Sequence, residues 1–276
     1  IRRILKENKT EVVLSFMGPP NIRMLLGTLC MRVKKVVSVR NDPYKEYGSG
    51  IKRFFAKIIF CLADGCVFQT EEAMAYFPKK VKKRSKIILN PIKEVFYQTE
   101  HSDANSGIVS VGRLFPQKNH ELLIRAFARI ADSYPDENLY IYGEGSLRKK
   151  LQDLIVKFEL QNRVFLPGSV MDVNVKLSHA KIFVLSSDYE GMPNALLEAM
   201  AVGVPVISTD CPCGGPRTVI ENENQGLLVE KMADALEKLL NDSYLRKQMS
   251  VAEKERAKDF RNDAIMPQWE QYLTSR

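Results

Sequence analysis

The sequence predicts an α/β protein with two domains, each built around a parallel sheet. At 276 residues the chain is longer than a single hydrophobic core usually organises. Apolar residues make up 45% and charged residues 27% of the sequence, as in soluble globular proteins. Apolar segments of strand length alternate with helical segments along the chain, which is typical of parallel strands joined by crossover helices.

The first predicted domain covers residues 1–92. Its predicted strands are residues 11–16, 35–39, 66–69 and 87–90, and its longer helices are residues 51–62 and 71–77. A helical run over residues 1–8 leads into the first strand without an initiator Met or an earlier element. We therefore expect this Rossmann-like domain to be incomplete at its N-terminus.

The second predicted domain covers residues 107–258 and follows a polar linker over residues 93–106. Its predicted strands are residues 108–111, 139–142, 164–166, 182–185 and 205–208. Asn119 can cap a helix that runs to residue 133, and Gly203 can end one that starts at Asn194. The last segment, residues 259–276, contains a helix that we expect to pack back on the first domain.

Composition limits the classes of partner without selecting one. The net charge of +8 favours an anionic partner, and a nucleotide diphosphate, a lipid headgroup and a nucleic acid satisfy it equally. The five cysteines lack paired metal spacing, which indicates reduced thiols in a cytoplasm. No stretch reaches the ~20 consecutive apolar residues that span a bilayer, which favours a soluble or peripheral protein.

A phosphate site is predicted where the strand over residues 108–111 ends. The strand leads into Gly112 and Arg113, and Lys118 stands at the start of the following helix. A small residue allows a tight turn, and the positive end of the helix points back at the crevice. Arg113 can hold phosphate oxygens in a bidentate fork while Lys118 adds a point charge. The alternative is that both side chains are ordinary surface charges.

Two carboxylates follow the strand over residues 182–185. Glu190 lies in the loop after that strand, and Glu198 lies about one turn inside the next helix. The loop between them can present free backbone amides to an anion or a sugar oxygen; it consists of Gly191, Met192, Pro193 and Asn194. Hydrogen bonding to diols fits this pair better than the acid and base roles of a glycoside hydrolase.

These residues resemble the retaining glycosyltransferases of family 4, which have the two-domain GT-B architecture. The resemblance covers essentially the whole second domain and rests on five motifs in the family's order. They are Gly112-Arg113 with Lys118, Gly143-Glu144-Gly145, Phe165-Leu166-Pro167-Gly168, the pair Glu190 and Glu198, and Gly214-Gly215-Pro216-Arg217.

The resemblance implies roles for individual residues. Gly112, Arg113 and Lys118 would bind the donor diphosphate, and the two cationic side chains would stabilise the leaving group. Glu190 would contact the transferred sugar, Glu198 would bind the ribose, and Ser169 and Val170 would meet the base. Arg113, Lys118 and Glu190 are therefore the expected catalytic residues.

The resemblance also implies a reaction. The expected enzyme is a retaining hexosyltransferase that needs neither a metal nor another cofactor. It would take a nucleotide diphosphate sugar, with UDP as the expected carrier, and a lipid-linked or growing glycan acceptor. This chemistry is typical of bacterial surface polysaccharide and oligosaccharide assembly, in the cytoplasm or at the inner face of the cell membrane.

The acceptor side is expected in the first domain. Arg40 and Asn41 lie in a segment that resembles the family's acceptor loops, although a salt bridge of Arg40 with Asp42 or a neighbouring acid is an equally good interpretation.

Other functions remain as alternatives. A non-catalytic subunit that binds nucleotide sugars for another transferase is the main one. An oxidoreductase would need a GxGxxG turn after a strand, which the sequence lacks, and no motif supports nucleic-acid binding.

Two segments bear on membrane contact. Residues 79–86 contain six cationic side chains, which fits either a solvated turn or a patch that docks on anionic lipid. The helix over residues 51–62 has one broad apolar face, and we expect that face to be buried in the core rather than inserted in a membrane.

Overall fold

The computed structural model describes residues 1–102 and 107–275. Two parallel sheets organise the chain, which confirms the predicted fold class of two Rossmann-like domains. Residues 103–106 of the predicted linker lie outside the described residues. Within the rest of that linker a short helix forms, and its Phe96 packs into the core of the second domain.

The first domain holds a four-stranded sheet in the order β1-β2-β3-β4. Its strands are β1 (Val12–Phe16), β2 (Lys34–Ser38), β3 (Gly65–Phe68) and β4 (Ser85–Ile87). Its helices are α1 (Arg2–Glu7), α2 (Gly18–Gly27), α3 (Pro43–Glu46), α4 (Gly50–Phe60), α5 (Glu71–Ala75) and α6 (Lys79–Lys82), and α7 (Glu94–Tyr97) follows. Strand β4 begins earlier than predicted, but the amide of Ile88 still donates to the carbonyl of Phe68.

The second domain holds a six-stranded sheet in the order β10-β9-β8-β5-β6-β7. Its strands are β5 (Ile108–Val111), β6 (Leu139–Tyr142), β7 (Val164–Gly168), β8 (Ile182–Leu185), β9 (Val206–Thr209) and β10 (Leu227–Val229). Counted within the domain, this is the doubly wound order 3-2-1-4-5-6. Strand β10, which we did not predict, pairs with β9 at one edge.

The helices of the second domain cover both faces of its sheet with apolar side chains. They are α8 (His120–Ile130), α9 (Arg148–Lys157), α10 (Val173–Ser178), α11 (Asn194–Val202), α12 (Gly215–Val219), α13 (Met232–Asn241) and α14 (Ser243–Ala257). The predicted cap of α8 is confirmed, since the Asn119 side chain accepts from the amide of Leu122. Gly203 ends α11 in the left-handed region, as predicted.

The last helix, α15 (Asn262–Thr274), packs on the first sheet. Trp269 is 7% exposed and lies in one cluster with Val36 and Val67 of β2 and β3. The Tyr272 hydroxyl accepts from the amide of Cys66 at 2.8 Å. The chain thus returns from the second domain to the first and joins the two sheets.

Our expectation for the apolar face of the helix over residues 51–62 is wrong. Helix α4 buries Ala56 and Phe60 against the first sheet. In contrast, Phe54, Phe55 and Ile58 are exposed. The apolar arc of this helix is wider than the stripe that one sheet can cover, and no other described element lies over the remainder.

Removing the Trp269 side chain tests how α15 is held. Its ring centroid lies 5.9 Å from that of Phe16, and the Arg40 guanidinium lies 5.1 Å from the Trp269 ring. We expect Trp269→Ala to lower the free energy of unfolding by about 3 kcal/mol, because a buried aromatic ring is lost. Urea denaturation measures this change.

Met266→Ala is the matched control, because Met266 belongs to the same helix and is 52% exposed. Its effect should stay within about 0.5 kcal/mol. Equal effects of the two substitutions would contradict the docking of α15 on the first sheet.

Candidate active site

The loops that follow β5 and β8 meet at the switch point of the second sheet. These two strands are neighbours in the sheet. The chain continues from β5 to β6 on one side and from β8 to β9 on the other. In a doubly wound sheet the crevice at the carboxyl ends of two such strands is where ligands bind. Gly112 and Arg113 follow β5, and the segment from Ser186 to Glu190 follows β8. The fold therefore brings the two predicted motifs to one place.

The side chain of Lys118 crosses over Gly112. A Cβ atom at Gly112 would lie 3.3 Å from Cδ and Cε of Lys118, so the glycine leaves room for this path. A short 3₁₀ helix, Pro116–Lys118, carries the lysine back toward the strand end. Asn119 then adopts a left-handed conformation, with φ of 41°, and starts α8. The turn and the cap together aim Lys118 into the crevice.

Lys118 and Glu190 form a buried ion pair. The Nζ atom of Lys118 lies 2.6 Å from Oε1 of Glu190, and Glu190 is only 6% exposed. The Ser187 hydroxyl donates to the same oxygen at 2.7 Å. Within the described part of the chain, Oε2 accepts a single long hydrogen bond, at 3.4 Å, from Gln117. One carboxylate oxygen is thus committed to Lys118 and Ser187, and the other has capacity for a ligand hydroxyl.

Arg113 follows β5 at the mouth of the crevice, and its side chain is exposed. Its guanidinium carbon is 5.3 Å from the centre of the Phe115 ring. The structure therefore places one cation deep in the crevice, at Lys118, and a second at the surface.

A pocket of about 200 Å³ opens next to Arg113. Its lining residues are Val111, Gly112, Arg113, Tyr142, Gly143, Glu144, Ser169, Val170 and Val173. Gly143 is needed for its shape, since φ is +149° there and a Cβ atom would lie 2.0 Å from the carbonyl oxygen of Gly112. Ser169 and Val170, predicted from the resemblance, thus share one pocket with Gly112 and Arg113, two of the three residues predicted to bind phosphate.

Tyr142 also lines this pocket, although we did not predict it. Its ring stacks on that of Tyr140, with centroids 6.3 Å apart. The signal available was its place directly before the Gly143-Glu144-Gly145 motif, at the carboxyl end of a predicted strand.

The loop after Glu190 is held more tightly than we predicted. Gly191, Met192 and Pro193 are buried, and Asn194 is exposed. The amide of Met192 donates to Oε1 of Gln69 at 3.1 Å, so it is not free for a ligand. This corrects the expectation of free amides through the loop, because a side chain from the first domain satisfies one of them.

Arg40 belongs to a polar network between the domains. It donates to Oδ1 of Asn90 at 2.7 Å, and Gln69 donates to the same atom at 2.7 Å. Nδ2 of Asn90 in turn donates to Asn194 at 2.6 Å. Burial lowers the pKa of Arg40 to about 10. The network ties the first domain to the loop after Glu190.

The alternative interpretation of Arg40, a salt bridge with Asp42, is wrong. The Asp42 side chain instead accepts from the amide of Tyr44 at 2.8 Å and caps α3. The other predicted acceptor residue, Asn41, lies between them and is partly exposed.

The Gly214-Gly215-Pro216-Arg217 motif makes a second contact between the domains. Arg217 pairs with Asp210 at 2.6 Å and with Glu72 of the first domain at 3.2 Å. A Cβ atom at Gly215 would lie 1.8 Å from the carbonyl oxygen of Gly191. The glycine therefore permits close packing of this motif against the loop after Glu190.

Glu198 is largely buried within α11. Burial raises its pKa to about 7, and the nearby Lys93 acts in the opposite direction. The carboxyl therefore keeps its proton to a higher pH than an exposed glutamate does. A ligand that donates hydrogen bonds to it would favour the ionised form.

Over residues 1–102 and 107–275 the structure brings no group of three His, Cys, Asp or Glu side chains into the arrangement of a metal site. The same residues include no helix with the length and apolar character needed to cross a bilayer. The five cysteines are free thiols, and burial raises the pKa of Cys211 and Cys213 to about 12.

Comparison with known proteins identifies relatives along the whole chain. The family model for glycosyl transferases group 1 matches residues 92–256. An uncharacterized glycosyltransferase of Methanocaldococcus jannaschii is 30% identical over 98% of the chain and 80% of its own length. A Campylobacter jejuni diNAcBac-PP-undecaprenol-linked glycan α-1,4-N-acetyl-D-galactosaminyltransferase is 29% identical over 98% of the chain and 76% of its own length.

Solved structures share the fold at lower sequence identity. Anabaena HepE in complex with UDP and glucose superimposes with a TM-score of 0.88 at 18% identity, over 100% of this chain and 80% of HepE. A mutant of Staphylococcus aureus TarM in complex with Fondaparinux, alpha-GlcNAc-glycerol and UDP gives 0.83 at 21% identity, over 99% of this chain and 58% of TarM. These likenesses concern the arrangement of the two domains.

The raised pKa of Glu198 predicts a pH-dependent stability. The folded protein holds a proton on this carboxyl up to about pH 7, whereas the unfolded chain loses it near 4.5. Stability contributed by this group is therefore lost as pH rises between these values. We expect Glu198→Gln to stabilise the protein by about 3 kcal/mol at pH 8, and by almost nothing near pH 4.

Urea denaturation at several pH values measures this difference, with Glu237→Gln on α13 as the exposed control. If the free energy of unfolding varied with pH in the same way for the wild-type protein and Glu198→Gln, burial would not raise the pKa of Glu198 in the folded protein.

Proposed function

Because the chain belongs to the group 1 glycosyltransferases, we propose that it transfers a sugar from a UDP-sugar to a lipid-linked or growing glycan. The observation that carries this proposal is the buried pair of Lys118 and Glu190 at the switch point. It sets a cation and a hydroxyl acceptor side by side, which suits a phosphate joined to a sugar.

The donor would lie along the carboxyl ends of β5 and β8. Its diphosphate would contact Lys118 and Arg113, next to the tight turn at Gly112. Its base would enter the pocket formed by Ser169, Val170 and Tyr142, which has about 200 Å³ of space. The ribose hydroxyls would donate to Glu198. Oε2 of Glu190, whose hydrogen bond from Gln117 is long at 3.4 Å, would accept from a sugar hydroxyl.

The proposed reaction retains the configuration at the anomeric carbon. The bond between this carbon and the diphosphate oxygen breaks, and a bond to the acceptor oxygen forms on the same face. The acceptor hydroxyl passes its proton to the departing phosphate. Arg113 and Lys118 would stabilise the negative charge that develops on that phosphate, which is electrostatic work that a metal performs in other transferases.

The acceptor would approach from the first domain. HepE and TarM were solved with UDP, and TarM also with glycan ligands. The named Campylobacter jejuni relative acts on an undecaprenol-linked glycan. Arg40 is occupied by Asn90 and by two aromatic rings. Of the two predicted acceptor residues, Asn41 is therefore the better placed to meet the acceptor.

Arg113→Ala is the cleaner test of the diphosphate site. Lys118→Ala would leave the Glu190 carboxylate buried without its partner, which destabilises the fold. Arg113 is exposed, so its removal should leave stability unchanged. We expect kcat/KM for UDP release from UDP-hexoses to fall by roughly thirtyfold to a thousandfold, or about 2–4 kcal/mol.

The matched control is Arg125→Ala, at an exposed position of α8. Full activity of Arg113→Ala would refute the diphosphate assignment. NMR of the product reports the anomeric configuration of the transferred sugar, and inversion would refute the proposed geometry. UDP binding without any turnover of donors would instead favour a non-catalytic subunit.

A further inference from the structure

Helix α4 presents a row of apolar side chains to solvent. Ile51 is 71%, Phe54 61%, Phe55 54% and Ile58 48% exposed. Their spacing places them on one side of the helix, opposite the buried Ala56 and Phe60. Single exposed apolar residues are common, but a contiguous row of this kind marks a surface that binds something.

Cationic side chains flank this row on the same helix. Arg53 lies with its guanidinium carbon 4.8 Å from the Tyr76 ring, and Nζ of Lys57 lies 4.7 Å from the same ring. Lys52, directly before Arg53 in the helix, is exposed. The segment from Gly50 to Leu62 contains no acidic residue.

The basic run over residues 79–86 adjoins the end of α4. Nη2 of Arg84 donates to the carbonyl of Cys61 at 3.1 Å, which fixes the two segments side by side. Lys79, Lys80, Lys82 and Lys83 are all exposed. Residues 79–86 also contain no acidic residue. The apolar row therefore borders a strongly cationic surface.

The apolar surface extends into a groove between α2 and α4. The groove has a volume of about 460 Å³, and its lining includes Ile22, Phe55 and Ile59, with Arg23 at its side. Its one acidic lining residue, Glu46, accepts a hydrogen bond from the amide of Gly18 at 2.6 Å. The groove adds depth to the apolar part of the surface.

We propose that α4 and α6 dock the protein on an anionic bilayer, with the apolar row of α4 in the interface and the lysines of α6 against the headgroups. An apolar stripe bordered by Lys and Arg is what such a surface requires. A second copy on this face would bring nine cationic side chains, three from α4 and six from residues 79–86, near their own images. A nucleic acid would leave the apolar row uncovered.

Co-sedimentation of the full chain with lipid vesicles tests this surface. The vesicles are phosphatidylcholine alone, or phosphatidylcholine with an equal share of phosphatidylglycerol. We expect binding to the anionic vesicles only. Ile51→Ser with Phe54→Ser should weaken it by at least about tenfold, because apolar contact with the interface is lost. Replacing Lys79, Lys80, Lys82 and Lys83 by Gln should weaken it similarly, because electrostatic attraction is lost.

Matched controls come from the second domain. Val156→Ser with Val251→Ser removes two apolar side chains that are 57% and 71% exposed. Four exposed lysines changed to Gln match the loss of charge, namely Lys149, Lys157, Lys231 and Lys247. Both controls should bind anionic vesicles as the wild-type protein does, and thermal melts should show all variants folded.

Three results would overturn the proposal. The first is failure of the wild-type chain to bind anionic vesicles. The second is binding by the double variant Ile51→Ser with Phe54→Ser that equals wild-type binding. The third is a loss of binding in the second-domain controls as large as in the variants of α4 and residues 79–86. Sedimentation velocity adds a fourth, a dimer that Ile51→Ser with Phe54→Ser disrupts while vesicle binding persists. Vesicle binding is measured without donor or acceptor, so its outcome is independent of transferase activity.

Discussion

The ion pair between Lys118 and Glu190 joins the two loops on which the candidate active site depends. Each charge is costly to bury alone, and the 2.6 Å contact makes burial of both tolerable. The pair can form because β5 and β8 are neighbours in the sheet, so the loops at their carboxyl ends meet before the chain continues toward opposite edges of the sheet. The topology of the second domain thus creates the crevice, and the ion pair fixes the side chains that line it.

The first domain supports this site from the other side. Gln69 holds the amide of Met192, and Asn90 links Arg40 to Asn194. Helix α15 closes the arrangement, because Trp269 lies against the Arg40 guanidinium. The loop after Glu190 is therefore positioned by contacts from both domains. A change in their relative placement would move the groups that we expect to contact the donor.

The sequence was most informative where function and local pattern coincide. Apolar runs predicted nearly every strand, and the motifs at Gly112 and Glu190 lie together because strand ends of a parallel sheet share one edge. The partners of Arg40 could not be predicted, since Asn90 is fifty residues away and Trp269 is in the last helix. The exposure of Phe54 was also unpredictable, because an amphipathic pattern does not tell how wide a stripe the neighbouring sheet covers.

Calorimetric titration of the full chain with UDP, GDP and ADP in the presence of EDTA tests the donor site most directly. We predict that UDP binds at least about tenfold more tightly than the other two, and that EDTA does not weaken it. Absence of binding to all three diphosphates, or binding that appears only when a divalent metal is added, would contradict the assignment of Lys118 and Arg113 as the groups that hold the diphosphate.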